Sequence, residues 1–148
     1  DSRKSRGLGD VYKRQVFCTA QSESDIFGEW FNEEKDAVVT IYKDGNSISG
    51  KTTWLKEPLD SKGNAKLDLK NPDEELRSRK RMGLKIMHSF KYNDQENIWE
   101  DGRIYDPKKG KLYGGTATLV NENELKLKGY IISMPFLGRT ATWTRKTN

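Results

Sequence analysis

Gly102-Arg103-Ile104-Tyr105-Asp106-Pro107-Lys108-Lys109-Gly110-Lys111-Leu112-Tyr113-Gly114 reads as two β-strands folded back on each other through an Asp-Pro-x-x-Gly turn. Pro107 presets the first corner and Gly110 can take a positive φ, so the chain reverses within the turn and side chains on the two arms alternate about a common interior. The same plan recurs on both sides. Downstream, Asn121-Glu122-Asn123-Glu124 turns the chain again, then Leu125, Leu127, Gly129 and Ile131 alternate with Lys126, Lys128 and Tyr130, and a last strand runs over Arg139–Arg145. Upstream, Gly28–Phe31 is a short apolar strand. Ala37–Tyr42 is a β-branched run, and Asp44-Gly45-Asn46 returns the chain through Ile48–Leu55. Leu84–Tyr92 alternates, which predicts Leu84, Ile86, His88, Phe90 and Tyr92 on the inner face.

The count is eight antiparallel strands joined mostly by short turns. This predicts an all-β, up-and-down barrel, which leaves no free edge and can enclose one small ligand; an open sandwich fits the same pattern. One long connection interrupts the rhythm, between strands 3 and 4. Within it Asn71-Pro72-Asp73-Glu74 predicts a short helix, with Asn71 as cap, Pro72 at the first position and Glu74 reaching back. The basic cluster Arg77, Arg79, Lys80 and Arg81 then suits the helix end or an anion, and the solvated helix end is the preferred reading.

Residues 1–21 read as a non-native leader: an adapter-like scar through Gln15, followed by Val16–Gln21 with the small residues of a signal-peptidase site. The domain then spans 22–148. Without the leader 22 basic residues face 20 acidic ones, a net +2 against +5 for the whole chain. Charges so interspersed are not those of a nucleic-acid binder. One domain of this size buries enough surface for a core. Cys18 is the single cysteine and falls in the leader, so no disulfide or thiolate metal site is expected. No apolar run reaches the ~20 residues of a membrane span, and no phosphate loop, nucleophile elbow or dinucleotide fingerprint is present. No cofactor is expected.

Several blocks in order carry a resemblance: Gly28-Glu29-Trp30, Val39-Thr40-Ile41-Tyr42, Trp54-Leu55-Lys56-Glu57-Pro58, Lys70-Asn71-Pro72-Asp73, Leu76-Arg77-Ser78-Arg79, Gly102–Pro107 and Gly138–Arg145. From Gly28 to Arg145 the chain resembles the bacterial family called domain of unknown function 2147. The resemblance implies an exported envelope protein, periplasmic or secreted, with a lipocalin-like barrel and no established activity. Many members carry cysteines where this chain has Asp44, Ser49 and Tyr130, so any disulfide of theirs is absent here. The Gly28-x-Trp30 start is also similar to the lipocalin opening, which implies that Trp30 closes one barrel end under Arg145.

The alternation gathers His88, Arg103, Tyr105, Tyr113, Arg139 and Trp143 in the interior as a candidate ligand site, since Arg103 shares parity with Tyr105 and Arg139 with Trp143. A buried arginine is costly unless it meets an anion or acceptors. These residues therefore point to a binding barrel for a small amphipathic or anionic molecule. Ile98 and Ile104 have the opposite parity to Arg103 and compete for the inside. A second reading is a hydrolase-like enzyme using His88, the only histidine, with Asp101 or Asp106. A third is a structural or protein-interaction module whose barrel is filled by its own aromatics.

Overall fold

The computed structural model describes residues 21–147. The leader expected over residues 1–21 lies, apart from Gln21, outside the described residues. Eight strands form a closed antiparallel barrel in sequential order: β1 Gly28–Phe31, β2 Ala37–Asp44, β3 Ser47–Leu55, β4 Lys85–Asn93, β5 Ile98–Asp106, β6 Lys111–Asn121, β7 Glu124–Ile131 and β8 Met134–Arg145. Closure comes from β1 against β8, with Trp30 opposite Arg145 and Phe31 opposite Thr144. Among the described residues no helix is long and apolar enough to cross a membrane.

The lower part of the barrel is solid. Ile26, Trp30, Ile41, Ile48, Phe90, Trp99, Leu119 and Leu125 are buried in one cluster. Glycine makes two of these contacts fit, because a Cβ on Gly102 would sit 2.4 Å from the Phe90 ring and one on Gly115 2.8 Å from the same ring. A 3₁₀ turn, Glu23–Ile26, plugs that end. Its carbonyls accept from two indoles: Trp30 Nε1 donates to Ile26 O at 2.8 Å and Trp99 Nε1 to Glu23 O at 3.2 Å. Ser22-Glu23-Ser24-Asp25 has the spacing of a capping box, and the Ser22 amide donates to Asp25 Oδ2 at 2.9 Å, but the turn's role as a plug is set by what lies beneath it.

The strand alternation resets where the pairing register shifts. On β4, Gly50 faces Met87 while Lys51 faces Lys85, so Ile86 and Met87 are bulged together and both fall inside. That extra residue turns His88 to the outer wall. A second irregularity at Ser89, with φ +62°, brings Phe90 and Tyr92 back inward. On β5 the bulge lies at Glu100–Asp101, with Asp101 at φ +59°, and Trp99, Gly102 and Ile104 become the inner set. Arg103, opposite His88, shares its outward face.

The excursion between β3 and β4 holds no α-helix. The helix expected from Asn71 is one 3₁₀ turn, Glu74–Leu76, capped by Asp73, whose carboxylate accepts from the Glu75 amide at 3.0 Å. Asn71 is engaged elsewhere. Its side-chain amide donates to Asp68 Oδ2 at 2.9 Å and its Oδ1 accepts from the Asp73 amide at 2.8 Å, forming a turn that competes with helix initiation. Asp68 is fully buried and also accepts from Arg79 Nη2 at 3.0 Å and from the Tyr105 hydroxyl. Part of the basic cluster is thus tied to the excursion itself, with Arg79 on Asp68 and Arg81 Nε on Leu67 O at 3.2 Å.

The β5–β6 turn packs against this excursion. Gly110 has φ +67° and its amide donates to Asp106 O at 2.7 Å, while a Cβ there would lie 1.9 Å from Lys70 O. Gly110→Ala is therefore expected to cost about 1–3 kcal/mol in backbone conformation alone, plus the displacement of Lys70. A urea midpoint equal to that of the parent would show that the turn can move away freely.

Candidate functional site

Above the solid end the barrel is hollow. A cavity of about 660 Å³ opens at the end that carries the β1–β2, β3–β4, β5–β6 and β7–β8 connections, a volume within the range of small-ligand sites. Val39, Ile86, Ile104, Leu127, Gly129, Ala141 and Trp143 border it, with Thr52 and Tyr113 adding hydroxyls. The hollow exists because the inner faces of β7 and β8 carry Gly129 and Ala141, with little side chain to project. A Cβ on Gly129 would meet only Tyr113 Cβ at 3.9 Å and Ile104 Cδ1 at 4.0 Å.

The mouth is charged where the walls are apolar. Asn32, Glu34, Asp36, Lys56, Glu57, Lys66, Arg81, Lys108 and Lys109 border it, from three connections. One contact joins two of those connections, Lys108 Nζ to Asp36 Oδ2 at 2.7 Å across the β1–β2 and β5–β6 turns, and another ties the first of them to β8, Arg139 Nη2 to Glu33 Oε2 at 2.8 Å. Burial opposes the charge on Asp36, but hydrogen bonds from Lys108 and Asn32 outweigh it and hold the carboxyl below its usual range. The Asn32 side chain accepts from the Asp36 and Ala37 amides at 3.0 and 3.2 Å and so shapes the first of these turns.

Of the six residues that alternation assigned to the interior, Tyr113, Arg139 and Trp143 border this cavity from inward-facing positions, Tyr105 borders it from Arg103's outward face of β5 with its hydroxyl on Asp68, and His88 and Arg103 do not border it. The bulges on β4 and β5 are the reason, since each inserted residue reverses the faces beyond it. Arg139 does not sit buried awaiting an anion. Its side chain is 74% exposed at the mouth and paired with Glu33. Tyr105 donates its hydroxyl to Asp68; burial and that carboxylate push its pKa up to about 12, so it stays a neutral donor.

His88 lies on the outer wall. Burial first, then the neighbouring Lys85 and Arg79 cations, push its pKa below the ordinary histidine value. Asp44, which accepts from Lys85 Nζ at 2.8 Å and from the Ser49 hydroxyl at 2.7 Å, is the nearby carboxylate. Asp101 is exposed and Asp106 stands at the mouth, so the partners suggested for a hydrolytic site are not gathered around His88. Ile86 is a wall residue, as its alternation predicted, and Ile104 takes the inside for which its parity competed with Arg103. Thr52 was missed although legible, because it shares parity with Ile48 and Gly50.

At the closed end Arg145 lies over Trp30, its guanidinium carbon 4.2 Å from the ring centroid. It donates to Phe27 O at 2.8 Å, Asp25 O at 2.7 Å and Glu122 O at 2.7 Å, tying the plug and the β6–β7 turn to the last strand.

A family model described as "Uncharacterized protein conserved in bacteria (DUF2147)" matches residues 28–145. No curated protein matches the chain. Among solved structures the chain is similar to protein HP1028 from the human pathogen Helicobacter pylori, described as belonging to the lipocalin family. The two share 20% identity at a TM-score of 0.68, over 83% of this chain and 84% of that one. At that identity the likeness is one of fold.

Proposed function

The chain belongs to the bacterial family of domain of unknown function 2147, to which no activity is attached, and from its cavity we propose that it is a binding barrel for a small amphipathic molecule. The supporting observation is the gradient along the barrel axis: a plugged aromatic end, apolar walls around about 660 Å³, and a mouth lined by charged side chains. An apolar chain gains most from the walls, at roughly 25 cal/mol per Å² removed from water. A polar or anionic head remains at the mouth, near Lys56, Arg81 and Lys109. With the leader read as a signal remnant and the family's implied export, the proposed compartment is the periplasm or the exterior.

The test is a titration with an apolar fluorescent anion, 1-anilinonaphthalene-8-sulfonate, displaced by fatty acids of increasing length. Gly129→Leu is expected to abolish probe binding while leaving the melting temperature equal or higher, because the added side chain enters open space at ordinary contact distances. Undiminished probe binding in that variant, or a parent protein that binds no probe, would reject the barrel interior as the site and favour the structural reading.

A further inference from the structure

Ten consecutive residues, Gly129-Tyr130-Ile131-Ile132-Ser133-Met134-Pro135-Phe136-Leu137-Gly138, carry no charge in a chain that is 33% charged. They form the end of the β7–β8 hairpin at the cavity mouth. Tyr130 pairs with Gly138 but Ile131 already pairs with Met134, so Pro135–Leu137 bulge out of the ladder. Phe136 is 79% exposed there, and Ile131, Ile132, Met134 and Leu137 are each about two-fifths exposed. Contiguous exposed apolar side chains of this size mark an interaction site. We propose that this hairpin end docks on an anionic lipid bilayer and seats the mouth of the barrel against the membrane surface.

Two observations select a membrane over a protein surface. The apolar side chains are spread around the hairpin rather than along one side: Ile131 and Leu137 border the cavity, whereas Phe136 does not. A protein presenting one face covers one side of such a ribbon, while a hydrocarbon layer surrounds it. The second is charge. Six cations border the same mouth, Lys56, Lys66, Arg81, Lys108, Lys109 and Arg139, against the four carboxylates Glu34, Asp36, Glu57 and Asp106, and Lys56, Arg81 and Lys109 have no carboxylate partner within 4.0 Å among the described residues. An apolar wedge beside cations is the combination that binds the interface of anionic bilayers.

The proposal goes beyond ligand binding in the cavity and is read separately from it. Sucrose-loaded vesicles of equal parts phosphatidylglycerol and phosphatidylethanolamine are sedimented with the full chain, and phosphatidylcholine vesicles serve as the uncharged comparison. The parent is expected to pellet with the anionic vesicles and to be released by salt. Phe136→Asp is expected to lower the bound-to-free ratio about tenfold or more, with an unchanged melting temperature because the ring it replaces is in water. Phe136→Ser gives the same reading should the carboxylate perturb the hairpin. Lys56→Glu with Lys109→Glu is expected to weaken binding to the anionic vesicles alone. Gly129→Leu, which blocks the cavity, is expected to leave sedimentation intact, so loss of docking and loss of ligand binding are distinguishable. A parent that stays in the supernatant, or Phe136→Asp pelleting as before, overturns the proposal. So does a dimer in sedimentation equilibrium that Phe136→Asp dissociates, which would assign the hairpin to a second copy of the chain.

Discussion

Trp30→Ala is expected to cost about 3–5 kcal/mol, the penalty for truncating a fully buried large aromatic, against a total of roughly 5–15 kcal/mol for a domain of this kind. Trp30 is completely buried, its indole N–H satisfies the Ile26 carbonyl, and its ring supports the Arg145 guanidinium. Truncation opens a hole beneath the plug and leaves that carbonyl without its donor. Arg145→Ala removes three hydrogen bonds to Asp25, Phe27 and Glu122 carbonyls and is expected to cost less, since those carbonyls lie nearer water. The two effects should not add, because each residue loses its partner in the other's variant. Urea unfolding of both single variants and the double variant measures this, and strict additivity would sink the pairing as an energetic unit.

Asp68→Ala is expected to cost about 3 kcal/mol, the low end for breaking a buried ion pair, because its Arg79 partner is partly exposed. Burial disfavours the charged carboxyl, yet hydrogen bonds from Tyr105, Asn71 and Arg79 outweigh it and its pKa lies below the ordinary value. The sign follows from that direction. A depressed folded pKa contributes stability that is complete above the unfolded value of about 3.9 and is lost as pH falls through the folded one. Asp68→Asn should accordingly differ from the parent near neutrality, with the gap narrowing only as pH falls below about 4 and toward the lower folded pKa. A gap in urea midpoint that persists unchanged to pH 2 would place the cost in shape and not in charge. Hydrogen exchange should also quicken at the Asn71 and Arg79 amides, which bond to Asp68 O and Leu76 O in the excursion, before it quickens in the barrel strands.

Strand count and the turns are local matters, and the sequence by itself determined them: Asp-Pro-x-x-Gly at 106–110, Asp-Gly-Asn at 44–46, the β-branched run of β2 and the period-two patterns of β7 and β8 each act over a few residues, whereas closure, against the open sandwich that fits the same pattern, is decided by β1 pairing with β8. On β8, Arg139 and Trp143 lie where parity put them, because nothing interrupts the ladder between Gly138 and Thr144. Only the tertiary structure decided the rest. His88 and Arg103 face outward because β4 and β5 each take in an extra residue, and Ser89 and Asp101 adopt positive φ. No residue type there demands it; the Phe90 and Trp99 rings must reach the core past Gly102 and Gly115, and the backbone yields to them. Asn71 gives up a helix cap for Asp68, three residues before it in sequence but held against Tyr105 in space. The cavity itself is a remainder, the volume left where the inner faces of β7 and β8 carry Gly129 and Ala141, and no alternation of hydrophobicity along one strand reports a space that seven strands, β2 to β8, enclose.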